Sequence, residues 1–177
     1  KQLRLDDTKS LKGVAWFMKV KMYPVRKITD LRQMMLTSVE EFGDKAAFLV
    51  KKHSEYQPIS FNQYKEDVQA LGTALWEEIP KGSAVIVTGE NCYEWAITYM
   101  AVVCGIGIIV PVDKELPDEE IQNIARISEA KAILYSSKTA EKIQHIEGVI
   151  KYSFDEIPDL ISKGKALAQD ETGEYTG

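Results

Sequence analysis

Cysteine and histidine are scarce in this chain: its 177 residues hold two of each. Cys92 and Cys104 make no Cys-x-x-Cys pair, and His53 and His145 stand apart, so the spacings that zinc sites use are missing. On one helix, as the surrounding pattern predicts, the two thiols lie about 18 Å apart, far beyond disulfide reach. Reduced, buried thiols in a reducing, cytoplasmic compartment are the expectation. Long apolar runs are lacking too. The longest, Ile106–Val112, is strand-length, against the roughly 20 residues of a membrane span. Positive charge is not in excess: 22 Lys and Arg face 27 Asp and Glu, a net charge of −5, which argues against a nucleic-acid binder. No Walker loop, GxxxxGK[ST], occurs anywhere. No secretory signal opens the chain at Lys1, and a processed or excised product of a longer protein is expected.

What is present is an ordinary globular composition, 45% hydrophobic and 28% charged, enough for one core. Residues 1–27 lack a clean period. Between Lys9 and Lys27 there is no acid, and lysines such as Lys12, Lys19 and Lys21 interleave with Trp16, Phe17 and Tyr23. Such a stretch can rest on an anionic membrane surface, or it can pack its aromatics on the domain and leave its lysines in water. Thr29-Asp30 opens a predicted helix with Leu31, Met34, Met35, Ser38, Val39 and Phe42 on one face and Gly43 as its stop. Ala46–Lys51 and Tyr56–Phe61 read as a hairpin around His53-Ser54-Glu55. Asn62–Glu78 is a strong amphipathic helix, with Tyr64, Val68, Leu71 and Leu75 recurring at helical spacing.

Then the pattern alternates. Ala84–Thr88 is a buried strand, and Asn91 is placed to cap a helix from Cys92 to Cys104, with Glu94 completing a capping box. Ile108–Val110 is the next strand, and Pro117 starts a helix with Asp118, Glu119 and Glu120 in its positive first turn. Ala132–Tyr135, a short helix over Thr139–His145, a strand at Val149–Tyr152 and a helix across Ile157–Ala168 follow. Strands and helices in this order predict an α/β fold: a doubly wound, mostly parallel sheet flanked by helices, preceded by an amino-terminal β-hairpin. The expected organisation is one partial domain: residues 1–28 as an amino-terminal extension, 29–168 as the α/β portion and 169–177 as a severed or flexible tail.

The run Gly105-Ile106-Gly107 suggests part of a dinucleotide fingerprint, but its order is reversed. A phosphate cradle needs its glycines after a strand and opening a helix. Here they follow a helix and precede a strand, and position 110, where a third glycine belongs, is Val. Gly105 instead fits a helix stop with positive φ, and Gly107 lets the chain turn into the sheet. By position the loop Gly89-Glu90-Asn91 is the better ligand candidate, because ligands gather at the carboxyl ends of parallel strands; Glu90 is unfriendly to phosphate. Glu119-Glu120 could serve acid–base chemistry, but helix-start electrostatics accounts for the pair. Trp95 is expected to fill core space with its indole N–H partnered. Nothing assembles a nucleophile, a base and an orienting group, so no catalytic, cofactor-binding or metal-binding residue is assigned.

Several fragments together resemble the amino-terminal part of AMP-forming acyl-CoA synthetases, members of the adenylate-forming superfamily. They are Asn91-x-x-Glu94-Trp95, Gly105-x-Gly107-x-x-Val110-Pro111, Leu116-Pro117-x-Glu119-Glu120-Ile121 and Ser128-x-Ala130-Lys131, with Tyr56-x-Pro58-Ile59-Ser60-Phe61-x-x-Tyr64 upstream. The likeness extends over roughly Thr29 to Ala168, and "VPVDKELPDEEI" leans toward the long-chain fatty acyl branch. The resemblance implies a parent enzyme that joins a fatty acid to ATP, releases pyrophosphate and passes the acyl-adenylate to coenzyme A, with Mg²⁺ as metal. It also implies a Ser/Thr/Gly-rich loop ending in Pro-Lys-Gly, which this sequence does not contain. The chain is therefore expected to be a scaffold portion, inactive alone and holding no cofactor itself. It is expected to self-associate through apolar surface left open, and to lie in the cytoplasm, with possible peripheral membrane contact. Other readings are an amino-acid adenylation domain, a luciferase-like enzyme, or a free-standing α/β binding or regulatory module using Gly89–Asn91 or an apolar face.

Overall fold

Asp30 begins the first helix because its carboxylate accepts the Gln33 amide at 2.7 Å, one of the donors that a helix start leaves unpaired. This helix, α1 (Leu31–Phe42), ends at Gly43 in the left-handed region at φ 45°, where the glycine N–H returns to the Val39 carbonyl. The computed structural model describes residues 25–169. After α1 come β1 (Ala46–Lys52) and β2 (Glu55–Ser60), an antiparallel pair turned at His53, whose φ is 58°. Ser60 then caps α2 (Phe61–Trp76) by accepting the Gln63 amide at 3.1 Å. That cap is why the helix starts one residue before the predicted Asn62.

The remaining strands are β3 (Ser83–Thr88), β4 (Gly107–Val112), β5 (Ala132–Tyr135) and β6 (Ile150–Ser153). They form one parallel sheet in the order β4-β3-β5-β6. The helices between them are α3 (Tyr93–Ala101), α4 (Asp118–Ile127) and α5 (Ala140–Gln144), and α6 (Ile157–Gln169) follows β6. Short 3-10 turns at Ser137–Thr139 and Phe154–Glu156 lead into α5 and α6.

Alternation along β3 explains the layering. Val85 and Val87 face a core shared with Leu71 and Leu75 of α2, Ile97 of α3 and Ile157 of α6. Ala84 and Ile86 face the opposite core, with Ile121 and Ala125 of α4 and Ile143 of α5. Successive strand residues point to opposite faces, so a strand buried on both sides reads as an unbroken apolar run. The predicted doubly wound sheet with its leading hairpin is the architecture observed.

Several local expectations are corrected. Cys92, not Asn91, is the cap residue of α3, and it makes no side-chain cap bond, so the capping box at Glu94 does not form. Gly105 is not a positive-φ helix stop. It sits inside a π-helical turn, Val102–Ile106, which closes when the Gly107 N–H donates to the Val102 carbonyl five residues back. Trp95 fills core space only in part: half-buried, it packs against the main core and stacks on Tyr99 with ring centres 5.5 Å apart. At the next helix Pro117 is the cap rather than the first residue, while Asp118, Glu119 and Glu120 do occupy the first turn. Gln169, predicted to begin the tail, is the last residue of α6. The basic aromatic stretch up to Pro24 and the tail Asp170–Gly177 lie outside the described residues.

Two glycines are demanded by close approach to backbone. A Cβ on Gly107 would fall on the Ser83 carbonyl at the start of β3, and one on Gly164 of α6 would fall on the Ala70 carbonyl of α2. Neither neighbour can yield, because both are backbone. Gly82 differs: at φ 83° it has open space around the missing Cβ. Gly107→Ala should therefore lower stability by more than about 2 kcal/mol, and Gly82→Ala by only about 1 kcal/mol, from backbone strain alone. Urea unfolding of the two variants checks the order; equal losses would remove the close-approach explanation.

Candidate functional site

A parallel sheet brings all its carboxyl ends to one crest. Here the register sets Thr88 beside both Val112 and Tyr135, and Tyr135 beside Ser153. The chain leaves β3 toward α3 on one face and leaves β5 toward α5 on the other. Adjacent strands whose exits diverge leave a crevice between them, the place where ligands of open α/β sheets bind. Gly89-Glu90-Asn91 forms one wall and Ser136-Ser137-Lys138 the other, joined where the Ser136 N–H donates to the Thr88 carbonyl at 3.1 Å.

Gly89 lies at φ 146°, and a Cβ there would meet the Ser136 Cβ at 2.7 Å and the Phe154 ring at 3.0 Å. Only glycine lets the β3 exit lie so close on the β5 exit. Beside it, the Glu90 carboxylate sits 3.6 Å from the Lys114 ammonium and 3.7 Å from that of Lys138. A hydrogen bond from Ser136, with the positive charges of Lys138 and Lys114 behind it, holds the Glu90 carboxyl below the usual range. The Lys114 ammonium is in turn held above its usual value, chiefly by Glu115 and then by Glu90. Glu90 thus ties together the exits of β3, β4 and β5.

The cavity between the walls is about 400 Å³ and is lined by Glu90, Cys92, Ser136, Lys138, Phe154 and Asp155. A second depression of about 290 Å³ lies across the Glu90 loop, between Asn91 and Trp95 on one side and Pro111, Asp113 and Lys114 on the other. Thr88, fully buried under the crest, has a hydroxyl without a hydrogen-bond partner. Burial pushes the Cys92 thiol up to about 11, and that of Cys104 likewise, so neither is a thiolate at neutral pH. Among the described residues, no group of three or more His, Cys, Asp or Glu side chains is placed to hold a metal ion. The crest offers paired charges and a shaped cavity but no activated nucleophile.

The sequence-derived candidates are spread over this frame. Gly89–Asn91 stands at the crevice. Glu119 and Glu120 are exposed in the first turn of α4, where Glu119 shares a small depression with His145. His53 is at the hairpin tip. Sequence reasoning did not single out Lys114, Ser136 and Lys138, although each follows the carboxyl end of a recognised strand, and that position was the available signal.

The sequence model of the family described as AMP-binding enzyme matches residues 36–174. This chain belongs to the AMP-binding enzyme family. Tyrocidine synthase 1 of Brevibacillus parabrevis is 28% identical over 126 residues, which is 71% of this chain and 11% of that protein. The inhibitor-bound N-terminal domain of FACL13 from Mycobacterium tuberculosis superposes with a TM-score of 0.68 at 15% identity, over 76% of this chain and 36% of that one. A fatty acyl CoA synthetase of Mycobacterium tuberculosis gives 0.68 at 16% identity, covering 75% and 28%. NpsA-ThdA of Klebsiella oxytoca, a fused adenylation–PCP di-domain, gives 0.65 at 15% identity, covering 78% and 25%. The chain thus spans about a tenth of the synthase and between a quarter and just over a third of these solved chains. At such identities the structural likeness establishes the fold: in this AMP-binding enzyme family member, the parallel sheet, its flanking helices and the hairpin.

The raised thiol gives a pH test within the crest of this member of the AMP-binding enzyme family. Alkylation of Cys92 in the native chain should stay slow at neutral pH and rise toward about pH 11, whereas urea-unfolded chain should react near the ordinary thiol value. Iodoacetamide labelling followed by peptide mass spectrometry measures both; fast native labelling at neutral pH would contradict the buried thiol.

Proposed function

We propose that this chain is the amino-terminal portion of a fatty acid–CoA ligase that activates a fatty acid with ATP to the acyl-adenylate and transfers it to coenzyme A. The observation that carries the reading is the family match over residues 36–174, narrowed by the stretch Val110-Pro111-Val112-Asp113-Lys114-Glu115-Leu116-Pro117, which leans to the fatty acyl branch. Solved relatives described as a fatty acyl CoA synthetase and as FACL13 support it. In this reading ATP, Mg²⁺, coenzyme A and the fatty acid belong to the whole enzyme. This portion supplies part of one sheet layer and the crest against which further chain closes, and it is inactive alone. A cytoplasmic place goes with it, with peripheral membrane contact through the basic stretch Lys9–Lys27. An amino-acid-activating enzyme is the second reading, and the 28% identity to tyrocidine synthase 1 favours it.

ATP–pyrophosphate exchange separates the two. A protein expressed from the native coding DNA extended past the Gly177 codon should exchange label when given a fatty acid, and the 177-residue chain should not. Exchange driven by an amino acid instead would move the second reading to first place. Exchange by the short chain would overturn the scaffold role.

Self-association is part of the proposal. Strand β4 is a sheet edge, carries no charged residue from Gly107 to Val112, and leaves Ile108 63% exposed. An edge strand without charges is a template for pairing. Light scattering of the 177-residue chain should give a mass above the 20.0 kDa monomer, rising with concentration; a concentration-independent monomer would reject it.

A further inference from the structure

The hairpin belongs to neither core. Its inner face is half-buried through Phe48, Val50 and Ile59, and the Phe48 ring lies 5.1 Å from Tyr64 and 5.2 Å from Tyr93. Those two contacts seat the hairpin on α2 and α3. Strand alternation then turns Leu49 and Lys51 of β1, with Tyr56 and Pro58 of β2, to the opposite face. The register sets Leu49 against Pro58 and Lys51 against Tyr56. Leu49 is 63% exposed and Tyr56 66%, on a sheet of two strands with nothing described above it. Leu49 and Tyr56 are therefore diagonal neighbours on one open surface.

The charge around this surface is unlike that of the chain. Between Lys45 and Ser60 there are three lysines, Lys45, Lys51 and Lys52, and one acid, Glu55, in a chain of net charge −5. Lys51 stands on the open face, and Lys52 is exposed at the tip. An aliphatic and an amphipathic aromatic side chain, framed by lysines that can reach phosphate while their stems stay in contact with apolar groups, match a bilayer interface.

We propose that the outer face of the β1–β2 hairpin docks on an anionic lipid bilayer. Leu49 and Tyr56 enter the interface and Lys51 meets the headgroup phosphates, while Lys52, on the alternate side of the strand, reaches them only from the tip. This inference rests on the membrane-contact reading above and adds a second element to it. Stable peripheral anchoring takes more than one weak signal, and the hairpin supplies apolar area together with charge.

Co-sedimentation of the 177-residue chain with vesicles tests it, using phosphatidylcholine alone and an equal mixture with phosphatidylglycerol. The chain should pellet with the mixture only, less so as salt rises. Lys51→Gln should weaken partitioning about fivefold, and adding Lys52→Gln should weaken it further but by less. Leu49→Ser with Tyr56→Ser should weaken it about tenfold or more. All four side chains are exposed, so circular dichroism and the thermal midpoint should stay near wild type and show that the fold is retained. Lys12→Glu, Lys19→Glu and Lys21→Glu report on the amino-terminal stretch separately. Wild type absent from both pellets would overturn the membrane reading and the hairpin together. Wild type bound, with the amino-terminal variant weakened and both hairpin variants unchanged, would overturn the hairpin alone. Hairpin variants that alter the light-scattering mass but not vesicle binding would make the face a contact between chains and end the lipid assignment.

Discussion

Everything in this molecule hangs on β3 being paired on both edges and covered on both faces. It lies between β4 and β5, and Val85, Ile86 and Val87 have no exposed surface. Burying each such side chain contributes about 1.5 to 3 kcal/mol, so this strand alone concentrates a large share of the driving force. Its two faces recruit different helices: α2, α3 and α6 on one, α4 and α5 on the other. The layering follows from that division, since a helix can hide its apolar stripe only against a surface that is itself apolar.

Parallel pairing has a second consequence. It places the exits of four strands at one level, and divergence of the β3 and β5 exits opens the crevice between them. The charges there are prominent but are not what holds the place together. Water screens exposed ion pairs, and Glu90 shares itself between Lys114 and Lys138 at 3.6 and 3.7 Å. Backbone does more: Gly89 has no room for a Cβ against Ser136 and Phe154, and the Ser136 amide is bonded to Thr88. The crest is a closely packed shelf on which Glu90 lies between the ammonium groups of Lys114 and Lys138. Both cysteines are held as thiols.

The helix face opposite the crevice is fastened differently. Glu78, just past α2, accepts the Tyr152 hydroxyl of β6 at 2.8 Å and the Lys163 ammonium of α6 at 2.7 Å. Lys163 and then Tyr152 hold its carboxyl below the usual range. With Gly164 admitting the Ala70 carbonyl, these bonds lock α6 along α2, and the last described helix becomes part of the main core through Ile157. Nearby, Asp67 is buried yet bonded by Gln63 and Tyr93, and Lys165 stands 3.6 Å away, as a charge removed from water requires.

Periodicity by itself determined the class of nearly every element. β5 was legible to the residue, because an apolar run of four between Lys131 and Ser136 can be little else in this order, and the doubly wound topology followed from the alternation of strand and helix. Family likeness was legible too, since it resides in spacing. Exposed pairing was not. The π turn at Val102–Ile106 misled the reading of Gly105, for whether a helix closes on a glycine or five residues back depends on where the following strand must lie, and that is set by Ser83 across the sheet. Trp95 packs against the main core yet stays half-buried, because size and hydrophobicity do not say how far round a helix the cover extends. Lys114, Ser136 and Lys138 are all far from Glu90 in sequence, and only the parallel register brings them to it. Local patterning decides what each segment is, while contacts between segments decide what it touches, because those contacts are made across distances that no short window of sequence contains.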